Sequence, residues 1–186
     1  MDRRGFSLVE VLISVVIVGI ILGFAMSAID PLRPQMESAM LGIGSSLQGA
    51  QRESVARQHN VIATFDAAAN KVELHFDANN NGVRDGGERV RVVALEGQVT
   101  FGRANAPARA FGAGPISFPP GGGGLPTLTF RRDGSASIAG GLYVTSRKAA
   151  AGSLKRIGDT RAIEVVRATG RVEWWRYNGA VWRRGF

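Results

Sequence analysis

One acid inside an otherwise uncharged apolar run sets the strongest constraint on this chain. Arg3 and Arg4 precede Gly5 and Phe6, Glu10 follows, and residues 11–29 carry no charge. Those nineteen residues, at about 1.5 Å each in a helix, cover roughly the 30 Å hydrocarbon core of a bilayer. The pattern predicts a transmembrane helix over 6–29, with the arginine flank cytoplasmic by the positive-inside rule. Everything after Asp30 is then expected across the membrane. An ionised side chain within a membrane helix costs about 3 kcal/mol on insertion scales and ordinarily has a partner, so Glu10 needs one. A conventional secretory signal fits poorly, because the apolar stretch before Ala25-Met26-Ser27 is too long and contains an acid.

The segment GFSLVEVLISVVIVGIIL (5–22) resembles the class III signal of type IV pilins and pseudopilins. The Gly-Phe pair, the acid and the apolar run all coincide. The resemblance implies a leader, residues 1–5, removed by a prepilin peptidase that cuts after Gly5 and methylates the new amine of Phe6. It also implies that Glu10 attracts the free amine of a neighbouring subunit and so sets the axial stagger of a filament. The partners it implies are other pilins or pseudopilins, the peptidase and the inner membrane. An uncleaved anchor with Glu10 near the headgroups is the competing reading.

The roughly 150 residues beyond the apolar run suffice for one globular domain. With no cysteine there is no disulfide, thiol nucleophile or thiolate metal site, which is compatible with the periplasm. His59 and His75 are expected at the surface or a sheet edge rather than as ligands. No Ser/His/Asp arrangement or P-loop stands out, so no enzyme is expected. Charge is uneven: residues 1–100 carry a net −2 and residues 101–186 a net +10, nearly all of the basic side chains there being arginine. Such asymmetry points to a polyanionic partner, nucleic acid or an anionic membrane surface, against a plain basic bias spread over the domain.

Asp30-Pro31 and Pro34 are expected to interrupt or kink the helix. Met36, Met40, Ile43, Leu47, Ala50 and Ser54 then follow a 4-3-4-3-4 spacing, which puts a narrow apolar stripe on one face of an amphipathic helix over 30–60 that ends near Asn60. After Asn60 the pattern alternates. VIATF (61–65) and KVELHF (71–76) predict a hairpin, with further strands at 89–95, 97–102, within 127–138, and at 141–146, 162–166 and 171–175. Turns are expected at Asp133-Gly134 and Thr169-Gly170. The Gly/Pro-rich stretch 103–126 reads as a long, irregular, mobile loop, and 147–160 as a polar connection. The fold class is α+β: a long N-terminal helix packed on the antiparallel sheet of a pilin-like head, residues 61–186. TFRRDGSASIAGGLYVTS followed by RAIEVVRATGRVEWW resembles the FimT/GspH group of minor pilins and pseudopilins.

Two further constellations carry chemistry. DANNNGVRDGGE (77–88) fits the calcium-loop pattern D-x-[DN]-x-[DN]-G-x5-E. Asp77, Asn79 and Asn81 would give side-chain oxygens, Val83 a carbonyl, Asp85 a direct or water-mediated contact, and Glu88 a bidentate carboxylate. Strand flanks, Arg84 and Arg89 argue instead for an ordered turn. At the C-terminus, Arg167, Arg171, Arg176, Arg183 and Arg184 interleave with Trp174, Trp175, Tyr177 and Trp182, a composition suited to phosphates and stacked bases. FimT-like minor pilins are associated with DNA capture through a Gly-Arg-x-Arg motif. Here Gly170-Arg171-Val172 match, but Glu173 stands where the second arginine should be. A terminal hairpin turning at Tyr177-Asn178-Gly179 is the alternative, and alternation sends one of Trp174 and Trp175 to the core.

The resemblances together imply a membrane-inserted minor pilin or pseudopilin of a type IV pilus or type II secretion system, with its head in the periplasm. No cofactor is required, calcium being the one candidate. A DNA-binding minor pilin and a single-pass anchored calcium-binding domain are the alternatives.

Overall fold

The apolar stripe expected from the 4-3-4-3-4 spacing is the spine of the structure. The computed structural model describes residues 7–28 and 32–185, without the side chains of 24–28; Gly5, Phe6 and Asp30-Pro31 lie outside the described residues. It comprises two units, divided after Pro31.

The first unit is helix α1, Leu8–Ala28, with Glu10 in its first turn. Every large apolar side chain from Leu8 to Leu22 is between 50% and 80% exposed, so this helix covers none of its own apolar surface. Among the described residues no helix is long and apolar enough to cross a membrane. The span expected over 6–29 extends past them at Phe6 and Ile29.

In the second unit, α2 (Leu32–Arg57) buries Met36, Met40, Ile43, Leu47, Ala50 and Ser54. Pro34 does not break this helix. It sits in the first turn, where backbone N–H groups have no intrahelical acceptor and a missing one costs nothing. The helix stops at Arg57 rather than Asn60, because Gln58 adopts φ 56°, the left-handed conformation that closes a C-terminus. Asn60 instead opens the first strand.

Among the described residues nine strands follow: β1 Asn60–Asp66, β2 Lys71–Asp77, β3 Val90–Ala94, β4 Val99–Phe101, β5 Thr127–Phe130, β6 Gly140–Ser146, β7 Arg161–Val165, β8 Val172–Tyr177 and β9 Trp182–Arg184. They form two antiparallel sheets, ordered β3-β2-β1-β5 and β4-β6-β7-β8-β9. One core joins α2 to both sheets, through Phe65, Leu74 and Phe130 on one side and Leu142, Ile163 and Val172 on the other. Asn70 ties the sheets together: its side-chain Nδ2 donates to the carbonyls of Leu95 and Val99, both at 2.8 Å.

The stretch 103–126 is irregular, as expected, but it is pinned rather than loose. Tyr143 donates its N–H to the Pro115 carbonyl (2.8 Å) and Ser117 donates to that of Gly141 (2.9 Å). Phe118 stacks on Phe65 with centroids 5.0 Å apart. Gly140 and Gly141 permit this approach, since a Cβ at Gly141 would lie 2.5 Å from the Ile163 carbonyl and 2.7 Å from the Phe111 ring. Glycine here admits a neighbouring segment, a role composition cannot distinguish from flexibility. The polar connection 147–160 contains the short helix α3, Arg147–Ala150, and a 3-10 turn, Leu154–Asp159.

Candidate functional site

Three places carry the expected functional residues. At the N-terminus, Gly5 and Phe6 lie outside the described residues, and Glu10 is exposed on the first turn of α1.

The loop 77–88 is closed by its own hydrogen bonds. Asp77, fully buried at the end of β2, accepts the N–H of Asn81 (3.0 Å) and of Gly82 (2.8 Å). Asn81 Oδ1 accepts from the Val83 N–H, and the side-chain amides of Asn79 and Asn81 both donate to Asp85 Oδ2 at 2.7 Å. Glu88 accepts from the N–H of Ala78 (2.9 Å) and of Asp85 (3.0 Å), and its Oε2 lies 2.6 Å from His75 Nε2. Each Glu88 carboxylate oxygen thus accepts a backbone N–H. Among the described residues no group of three or more His, Cys, Asp or Glu converges to hold a metal ion. These hydrogen bonds order the loop as a turn.

His75 and His59, expected at the surface, are both only 9% exposed. The β2 pattern sends His75 under the 77–88 loop, while His59 meets the edge of Phe76 at 6.2 Å.

Hydrogen bonding governs the ionisation of Glu88. The Asp85 N–H first, then His75 and the Ala78 N–H, stabilise its carboxylate and lower its pKa from near 4.5 to about 2. A depressed folded-state pKa means stability that is complete above the unfolded value and lost as pH falls through the folded one. The melting-temperature gap between wild type and Glu88→Gln is therefore expected to hold steady above about pH 5 and to vanish towards about pH 2. Added millimolar calcium should leave both melting curves at pH 7 unmoved. A calcium-dependent rise confined to wild type would return the loop to the metal reading.

The C-terminal strands separate the five expected arginines. Along β8, Val172, Trp174 and Arg176 face α2, whereas Glu173, Trp175 and Tyr177 face away. On the outward face Glu173 stands directly across from Glu164 on β7. Arg171 and Arg184 both pair with Glu173, the latter at 2.9 Å, and Arg109 pairs with Glu164 at 2.7 Å. Glu173 thus occupies the place of the second motif arginine and neutralises the first. Arg167 lies past the end of β7, at the opposite end of the hairpin from Arg176 and Arg183.

The aromatic side chains are occupied as well. Arg109 lies 3.6 Å over the Trp175 ring, and Trp182 donates its indole N–H to the Pro107 carbonyl at 3.0 Å. Trp174 packs against the core beside Gly44, where a Cβ would overlap its indole, so only glycine fits under that ring.

Sequence reasoning missed Arg109 and Arg161. Arg161 is 6% exposed and donates through Nη1 to the carbonyls of Gly158 (2.8 Å) and Thr160 (3.1 Å). The usable signal was its alternation with Ile163 and Val165, which places an arginine on a core-facing row.

The family profile for the prokaryotic N-terminal methylation motif matches residues 1–26. The pilin-like protein PilA1 of Thermus thermophilus is 30% identical over 106 residues, 56% of this chain and 64% of that relative. The chain thus spans just under two thirds of that relative's length. No solved structure matches it significantly. The chain is thus similar to type IV pilin-like proteins, through an N-terminal methylation motif that leads into an apolar helix and through the 106 residues shared with PilA1.

Proposed function

We propose that this protein is a minor pilin or pseudopilin of the FimT/GspH type, cut after Gly5 by a prepilin peptidase and methylated on Phe6. Its α1 helix enters the inner membrane with the head in the periplasm, then passes into a type IV pilus or a type II secretion pseudopilus. The supporting observation is the surface of α1. Twelve large apolar side chains from Leu8 to Leu22 are half exposed or more, and Glu10 is the single charged residue among them. An apolar surface of that extent requires a cover, which lipid supplies before assembly and sister helices supply after it. Glu10 then meets the amine that leader removal creates on a neighbouring subunit, the pairing an acid in an apolar phase requires. The subunit's work is structural, and ATP hydrolysis belongs to the assembly machinery.

Mass spectrometry of the protein from native membranes is expected to find an N-terminal peptide beginning with N-methylated Phe6. Gly5→Ala should keep the leader, migrate more slowly on a gel, and be missing from sheared filaments. Recovery of only the intact Met1 peptide from wild type would overturn this function. DNA capture through the basic C-terminus is a second reading, favoured by the exposure of Arg167 and Arg183 and weakened by the neutralising Glu173. An anchored calcium-binding domain is the third reading, and its support is the match of residues 77–88 to the calcium-loop pattern.

A further inference from the structure

The two faces of the C-terminal hairpin treat like charges differently. On the outward face the opposed carboxylates of Glu164 and Glu173 are matched by three arginines. On the face turned towards α2, Arg161 stands directly across from Arg176, and Arg176 directly across from Arg183. Directly opposed like charges destabilise a sheet. Among the described residues, Arg176 and Arg183 have no carboxylate within ion-pair distance. Arg161 is locked by its two backbone carbonyls, and burial, followed by the charge of Arg176, depresses its pKa below the usual arginine range.

Arg33, in the first turn of α2, adds a further positive charge to the field at Arg161, and Glu37 and Asp159 oppose it. The Asp159 carboxylate is already engaged by the Ser146 hydroxyl at 2.7 Å. Four guanidinium groups against two carboxylates leave a positive excess that the fold does not neutralise. Such an arrangement persists where an external anion completes it, and the planar guanidinium fork suits phosphate oxygens.

We propose that Arg176 and Arg183, with Arg33 and backed by the charge of buried Arg161, dock on the phosphates of anionic lipid headgroups. This rests on the proposed function, because only residues 29–31 separate α2 from α1 in the chain. With α1 in the bilayer, chain connectivity keeps the first turn of α2, and the arginines whose field it shares, near the headgroup layer. Juxtamembrane arginines there are drawn to anionic lipid. Single-stranded nucleic acid fits less well. It asks for aromatic platforms, and Trp175 and Trp182 lie on the opposite face, under Arg109 and against Pro107.

The test uses the full chain in nanodiscs of phosphatidylcholine alone or with phosphatidylglycerol added, read by hydrogen exchange. Peptides covering β7 to β9 are expected to exchange at least about threefold more slowly in the anionic discs, peptides of β1 and β2 being unchanged. The double variant Arg176→Gln/Arg183→Gln should incorporate equally and lose that lipid dependence. Equal exchange of wild type in both discs would overturn the inference, as would slowing that survives the double variant. Protection by duplex DNA added to phosphatidylcholine discs, without protection by phosphatidylglycerol, would assign the row to nucleic acid instead. Failure of the chain to enter either disc would refute the membrane-inserted helix itself, and this inference with it.

Discussion

Gly170→Ala is expected to lower the stability of the head by about 2–6 kcal/mol. Gly170 has φ 60°, a conformation that costs a residue with a side chain about 1–3 kcal/mol. A Cβ there would also overlap the backbone carbonyl oxygen of Gly134 and lie 2.9 Å from the Gln51 side chain. A carbonyl in a turn cannot rotate aside as a side chain would, so the overpacking adds about 1–3 kcal/mol. Against a total of about 5–15 kcal/mol for a domain, this is a large fraction. Urea unfolding of the head from Leu32 onward, which contains the entire core, should show a lowered midpoint with an unchanged slope. Gly123→Ala is the control, since nothing lies within 4 Å of its Cβ position, and it should change stability by less than about 0.5 kcal/mol. Equal stability of the two variants would show that the turn at Gly170 does not rest on Gly134. The glycine of the Gly-Arg pair thus has a packing role sufficient to require it, whatever the arginine beside it binds.

Phe65→Ala should cost about 3–5 kcal/mol, the range for removing a fully buried aromatic ring. Phe65 is 0% exposed and its ring stacks at 19° on that of Phe118, so the cavity would open between β1 and the irregular segment. The loss should therefore be both global and local. Amide exchange at Ser117 and Thr127, which hold that segment to Gly141 and Pro119, should accelerate beyond what the fall in global stability accounts for. Phe65→Leu, which keeps most of the volume, should retain most of the protection. If all amides accelerate together in Phe65→Ala, the segment is not held independently by this stack.

Much of the head was legible because its signals are local. The stripe from Met36 to Ser54 needs only the 3.6-residue period of a helix, and every member of it is buried. The alternation in VIATF and KVELHF needs only the two-residue period of a strand, and the two pair along their whole length. The glycines at 134 and 170 mark turns because their backbones take φ values that disfavour side chains. Where reading failed, two causes of the same appearance competed. Pro34 looked like a breaker and stands where a helix tolerates proline. The Gly/Pro-rich stretch 103–126 looked mobile, yet Pro115, Ser117 and Phe118 hold it to β6 and to Phe65. His75 looked like an edge residue because nothing local shows that the 77–88 loop folds over it.

The apolar N-terminal run with its single acid, the helical stripe and the strand periods follow from the amino-acid order alone, because each depends on neighbours a few positions away. The division of nine strands into two sheets is a tertiary outcome. So are the opposition of Arg161, Arg176 and Arg183, the matching of Glu173 by arginines from two strands, and the closure of the 77–88 loop over Glu88. Each depends on which strand lies across from which, and that register is set by packing both sheets against one face of α2 rather than by any local pattern.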